Sequence, residues 1–462
     1  MPMNRYTRGE DASHLGDVPS LDTEFTQCGL LPTVRARNWS GPRRWWGGAL
    51  DVEGLAIAST ELCAAAVNQL TGSQDLFAIE ARRAAAAFAS TEHLRVAGQQ
   101  MSPFGAYSGF FQTRDGWIRT HANYVHHRQA LLQALRLERP ELFAESLLDV
   151  DAGEIAELIT GFGGIAAKVR TRAQWQATTM GQAAAAEPWV KFVMSDVSRG
   201  RLWQYPQDVI EPLRGLRVVD FTRVIAGPTS SRTLAMLGAD VLRIDPPHMP
   251  ELQGQYIETG FGKRSAEMDL RDQRQLNTLH DLLSEADAVL LGYRPGALAA
   301  LGLQTQQLRE RYPNLIIVEL RAWGDTGPYA NRRGFDSIVQ AACGIADEYR
   351  DAKGKPGALP VQALDHATGY AMAAAVMSLA HARRSLGQTG HAKFSLVRTA
   401  TALLDQSLPT TDAEPLGRPA LRKIDSTFGE LVYAPPPLLR GGLALDYAGP
   451  PTPYGVDEPV WR

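Results

Sequence analysis

Residues 213–270 read LRGLRVVDFTRVIAGPTSSRTLAMLGADVLRIDPPHMPELQGQYIETGFGKRSAEMDL, and this stretch restricts the fold more than any other. Positions 216–221 form a short, valine-containing apolar run of the kind that makes a buried parallel strand. A loop at 222–228 follows, then helical spacing over 229–237, with Thr229, Ser230 and Ser231 placed to cap that helix. Gly238 ends the helix, and 241–244 supplies the next strand. The strand-to-helix turn of such a unit presents free backbone N–H groups and a positive dipole end, which suit phosphate or carboxylate. A purely structural βαβ unit would share these features. No G-x-G-x-x-G precedes Asp245, which argues against a nicotinamide site.

The alternation continues with a helix over 272–285, a strand at 288–291, the turn Arg294-Pro295-Gly296, a helix and a strand at 315–320. Alternating strands and helices imply a parallel sheet covered on both faces, with ligands at the carboxyl ends of its strands. Five pieces occur in order between 220 and 336: DFTRVIAGP, LGADVLRID, GKRSAEMDL, LLGYRPGALAALGL and WGDTGPYANRRGFD. Together they resemble the large domain of the family III CoA-transferases, the CaiB/BaiF family. The resemblance implies an α/β fold: a Rossmann-like parallel-sheet large domain with a smaller α+β domain.

The domain order is unusual. Residues 1–45 are polar, rich in Arg, Gly and Pro, and read as an extended or weakly ordered arm. Residues 46–212 combine an alanine-rich helical region with SPFGAYSGFFQTRDGWIRTHA, in which Asp115-Gly116 marks a hairpin, and a helix at TRAQW. This region resembles the family's small domain, yet it precedes the large domain, assigned to 213–427, and a Pro/Gly-rich return segment, 428–462. The stretch 50–89 also echoes 364–404: Leu-Asp, a small-residue helix, a Thr-Gly turn, an apolar run. A partially duplicated or permuted chain accounts for both observations, with 100–200 expected as a compact domain apart from the sheet.

The resemblance places the chemistry. PV-x-x-x-D-x-x-x-G followed by a small-residue helix looks like the segment that carries the family's catalytic aspartate, which makes Asp365 the nucleophile. It implies transfer of CoA between carboxylic acids through an aspartyl anhydride and an aspartyl-CoA thioester. Acyl-CoA is then a substrate, with no tightly bound cofactor. By the same resemblance Val224, Ile225 and Ala226 line the CoA path, Lys263 and Arg264 sit near the nucleotide, and Arg294 is a third basic candidate. Ala300 departs from the family, which often has an arginine there. Gly369 and Gly344 either admit the acyl group or serve helix packing. Neighbours on a helix diverge by about 100°, so His366 should lie behind or away from Asp365. His121, His126 and His127 lack cysteine or carboxylate ligands at metal-binding spacing.

A net charge of −3 offers no electrostatic case for nucleic acid or an anionic membrane. Cys28, Cys63 and Cys343 are too scattered for a disulfide framework, and no long apolar run suggests a leader or a membrane span, so a cytoplasmic protein is expected. The family resemblance implies a homodimer. Two rival readings remain at this level. One is a non-catalytic paralogue acting as a binding or assembly partner, to which the reordered domains, Ala300 and the arm point; Asp51, which aligns loosely with Asp365 but has no nucleotide-binding half before it, reads as a structural relic. The other is an α-methylacyl-CoA racemase, whose histidine would fall where this chain has Phe335.

Overall fold

The structure, a computed structural model, describes residues 18–33, 37–101, 104–294 and 296–462. Pro295 of the YRPG turn and residues 1–17 of the expected arm lie outside them. A long buried helix, α1 (Val52–Thr71), is followed by seven strands of one sheet. These are β1 (Val190–Asp196), β2 (Arg217–Phe221), β3 (Asp240–Asp245), β4 (Arg264–Glu267), β5 (Ala288–Leu291), β6 (Ile316–Arg321) and β7 (Gln388–Ser395). Their order is β4-β3-β2-β5-β6-β7-β1, parallel except for β1. The fold is therefore α/β, with a doubly wound sheet whose strand order reverses between β2 and β5, the place where such sheets bind ligands. Val218, Val219, Leu290 and Ile317 are fully buried, because helices cover both faces.

Three helices matter for the site: α2 (Ala226–Met236), α3 (Asp336–Cys343) and α4 (Ala363–Ser385). α4 is alanine-rich and buried along nearly its whole length, and α1 packs along it. Small side chains on both helices allow this close approach. A Cβ on Gly369 would lie 2.4 Å from the Ala226 carbonyl oxygen, so that glycine serves the seating of α4 on the start of α2. Gly344 closes α3 at φ +105°, where a Cβ would meet the Arg172 nitrogen at 2.5 Å. Both glycines work in packing.

Three features differ from expectation. Helix α2 begins at Ala226 rather than 229; Pro228 fits its first turn, and no side chain caps it. Ser231 instead turns inward to Asp220. The described part of the arm is packed: Phe25, Leu30 and Leu31 are buried, and Phe25 meets Phe192 edge-on at 4.9 Å. Phe25 lies in a five-residue helix, Thr23–Gln27, too short for its apolar period to show in the sequence. Finally, a boundary at 212 does not fit. The hairpin Gly109–Thr113/Gly116–Thr120 and its helices form a compact unit, but β1 crosses over and pairs antiparallel with β7.

The echo between 50–89 and 364–404 extends to architecture. α1 leads to the strand Phe77–Glu80 and a helix at Ala81–Phe88, as α4 leads to β7 and a helix at Leu396–Leu404. Phe77–Glu80 has one parallel neighbour, Trp39–Ser40, and one antiparallel neighbour, Leu438–Arg440. β7 likewise lies between parallel β6 and antiparallel β1. The last residues touch both halves: Leu431 and Val432 pair with Val96 and Arg95, while the Trp461 indole donates to the Leu282 carbonyl at 3.1 Å.

Candidate active site

A cleft of about 300 Å³ opens at the carboxyl ends of β2 and β5, where the loops after the two strands diverge. Val224, Ala226 and Arg294 from those loops line it, and so does Asp365 from the first turn of α4. Ile225 is buried behind them as the residue before α2. The opposite wall comes from the N-terminal half of the same chain, through Tyr124, His126 and His127. Both walls therefore belong to one polypeptide.

Asp365 is only 6% exposed although it lines the cleft. Burial, reinforced by the neighbouring carboxylate of Asp336, pushes its pKa well above the usual range. Asp336 is fully buried, and burial pushes it up to about 6. His366 points away from the cleft: it packs against Phe88 with the rings tilted, 5.3 Å between centres, and lies near the buried Arg232–Glu258 pair. Burial lowers its pKa to about 4.

The loop after β2 is held in an unusual conformation. Val224, a β-branched residue, adopts φ +71°, which costs on the order of 1–3 kcal/mol. Glu251 holds it there: Oε2 accepts the Val224 N–H at 3.1 Å and faces Arg223 and Arg243, each at 3.4 Å. Oε1 accepts the Tyr124 hydroxyl, and the Arg223 guanidinium lies 5.2 Å from the Tyr124 ring centre. One buried carboxylate thus ties the N-terminal wall to the loop at the mouth of the sheet. None of these partners was identified from the sequence. Tyr124 and Glu251 are 127 positions apart, and only the fold brings them together.

Arg294 is exposed on the cleft and, among the described residues, makes no ion pair. Arg333 faces the same space and donates to the Gly163 carbonyl at 3.1 Å. Burial and then the proximity of Arg294 lower its pKa. Two guanidiniums that repel each other beside a cleft favour an anion there.

Lys263 and Arg264 do not reach the cleft. The Lys263 ammonium is buried 3.3 Å from Asp220 and donates to Ser231 at 2.8 Å; Asp220 also accepts the Thr222 N–H at 2.9 Å. Arg264 pairs with Asp240 at 2.7 Å and donates to the Val460 carbonyl. A Lys-Arg pair after glycine reads as a phosphate grip only until the acids facing it are known. Lys263→Ala strands a buried carboxylate, so we expect about 3–5 kcal/mol of destabilisation in chemical denaturation. The folded fraction should keep its CoA affinity in calorimetry. A large loss of affinity at unchanged stability would return Lys263 to the site.

Phe335 occupies the position considered for a racemase histidine. It stacks on His121 with 3.8 Å between ring centres, and His127 lies edge-on to it at 5.9 Å. Burial lowers both histidines to about 3, so both are neutral. No cluster of three metal-ligating side chains exists among the described residues. Nor is any helix among them long and apolar enough to cross a membrane.

Comparison with known proteins identifies the fold that carries this cleft. The profile of CoA-transferase family III matches residues 213–425. That match takes in just under half of the chain, and over this stretch the chain is similar to that family. A probable fatty acyl-CoA transferase of Mycobacterium tuberculosis is 35% identical over 38% of this chain and 48% of the relative. A succinate–glutarate CoA-transferase of Agrobacterium fabrum is 33% identical over 42% of this chain and 53% of the relative. A crystal structure of a CaiB/BaiF family protein from Brucella suis is 27% identical, covering 49% of this chain and 66% of that one, at a TM-score of 0.38. The chain spans about half the length of the curated relatives it matches.

Proposed function

We propose that this protein transfers CoA from an acyl-CoA to a free carboxylic acid, with Asp365 as the nucleophile. The observation that carries this reading is the position of Asp365: it lines the cleft at the switch point of the sheet, on a helix within the stretch that matches the family. In the first step a carboxylate oxygen of Asp365 attacks the thioester carbonyl, the C–S bond breaks, and CoA leaves as thiolate. The thiolate then attacks the aspartyl carbonyl of the mixed anhydride, releasing the first acid and forming an aspartyl-CoA thioester. The acceptor carboxylate attacks that carbonyl, and the released thiolate attacks the new acyl group, restoring Asp365. Both intermediates hydrolyse readily, so water must be kept out. The wall of Tyr124, His127 and Phe335 is suited to that.

Val224 and Ala226 lie where CoA would pass the first N–H groups of α2, with Ile225 behind them, and Arg294 can meet its phosphates. The reading requires no partner subunit to complete the cleft. It is tested by incubating the protein with a panel of acyl-CoAs and carboxylic acids, with mass-spectrometric detection of thioesters. New thioesters should form only when donor and acceptor are both present. Hydrolysis alone, or no change across a broad panel, would defeat it.

A further inference from the structure

Asp336 stands behind the nucleophile and holds it from the backbone. It opens α3, and its Oδ2 accepts the Asp365 N–H at 3.0 Å. Its Oδ1 accepts the amide of Gln340, whose own carbonyl oxygen accepts the Leu359 N–H at 2.9 Å. Asp336 and Gln340 therefore bracket residues 359–365, the segment that leads into α4 and delivers Asp365 to the cleft.

We propose that Asp336 is a positioning residue for the transfer reaction: it fixes the backbone of Asp365 through the Asp365 N–H, and its charge governs when the nucleophile ionises. The proposal rests on the reading of Asp365 as nucleophile. Two carboxyls buried near each other repel when both are charged, so ionisation of one disfavours ionisation of the other. The directions of both pKa shifts agree with this geometry.

Few other charges act on Asp336. Arg119, on the strand Gly116–Thr120, attracts it from beside the rings of Phe104 and Phe110. Cys343, at the end of α3, is pushed up to about 12 by burial and stays neutral. The charged side chains on the other elements around α3 are engaged elsewhere. Lys168 pairs with Asp115 at 2.6 Å, Arg172 pairs with Asp405, and Arg398 donates to the Ala184 carbonyl. Asp347 pairs with Arg350, Glu348 is exposed, and His366 on α4 faces Glu258.

The test is the pH profile of exchange. Asp336→Asn keeps an oxygen that can accept the Asp365 N–H but removes the charge. Asp365 then ionises more easily, and the acid limb of kcat/KM should move down by about one pH unit. Gln340→Ala leaves both carboxyls and loosens the segment, so kcat should fall about tenfold or more with KM for acyl-CoA unchanged. A merely structural Asp336 would not move the limb. An active Asp336→Asn protein with an unshifted profile overturns the proposal; if that variant does not fold, an undiminished kcat in Gln340→Ala does so. Acyl transfer to Asp365 in the native protein separates the two levels. With no covalent mark there, the transfer reading fails and the proposal with it; with the mark present and the limb unmoved, the proposal fails alone.

Discussion

Asp365→Asn should reduce CoA exchange by at least about a thousandfold while leaving the fold and CoA binding in place, because removal of a covalent nucleophile costs on the order of 10³ to 10⁶ in rate. The substitution keeps the size of the side chain and the backbone N–H that Asp336 accepts. It also removes an ionisable group that burial and Asp336 both disfavour in its charged form, so the melting temperature should hold or rise. Loss of activity could then not be blamed on unfolding. Native protein treated with acyl-CoA and then hydroxylamine should be modified on the peptide containing Asp365, and the Asn variant should not. Full exchange in the variant, or a mark on Asp51 or on any glutamate, would refute the assignment. Asp51 is a poor competitor. It caps α1 by accepting the Gly54 N–H at 3.0 Å, and Arg43 occupies its carboxylate.

Local patterns made much of this legible. Alternating apolar runs and helical spacings gave the parallel strands, and the placement of the β2–α2 turn followed from them. Asp365 and the loop residues Val224, Ala226 and Arg294 do converge on one cleft. What could not be read was pairing across the fold. Nothing near Lys263 in sequence announces that Asp220 faces it, and nothing near Glu251 announces Tyr124. Asp336 ends the motif WGDTGPYANRRGFD, in which only Phe335 bears on the choice between transferase and racemase. A carboxylate opening a helix is ordinarily a cap; the Asp365 N–H, 29 residues away, gives it a different role. The edge strand β1 was missed because VKFVMSD reads equally well as the end of a separate domain.

The other large effect concerns the N-terminal half, whose contribution to the cleft depends on how firmly α1 is anchored. Arg43→Ala should destabilise the protein by about 3–5 kcal/mol, the usual consequence of leaving one member of a buried ion pair alone. Arg43 and Asp51 are each about 2% exposed, and the guanidinium meets both carboxylate oxygens, Oδ1 at 2.8 Å. Deleting the arginine leaves a carboxylate out of water at the start of α1. Solvating it requires the first turn of that helix to open. Within this turn Glu53, itself buried, accepts the N–H groups of Trp45, Trp46 and Gly47, so opening would also release the Trp45–Trp46 loop. α1 packs along α4, the helix that carries Asp365, so its loosening should reach the cleft. Urea unfolding followed by tryptophan fluorescence measures the cost. Arg43→Met with Asp51→Asn, which removes both charges, should recover a substantial part of it in a double-mutant cycle. A single Arg43→Ala variant within about 0.5 kcal/mol of the native protein would show that water already reaches Asp51 and that α1 is not anchored through this pair.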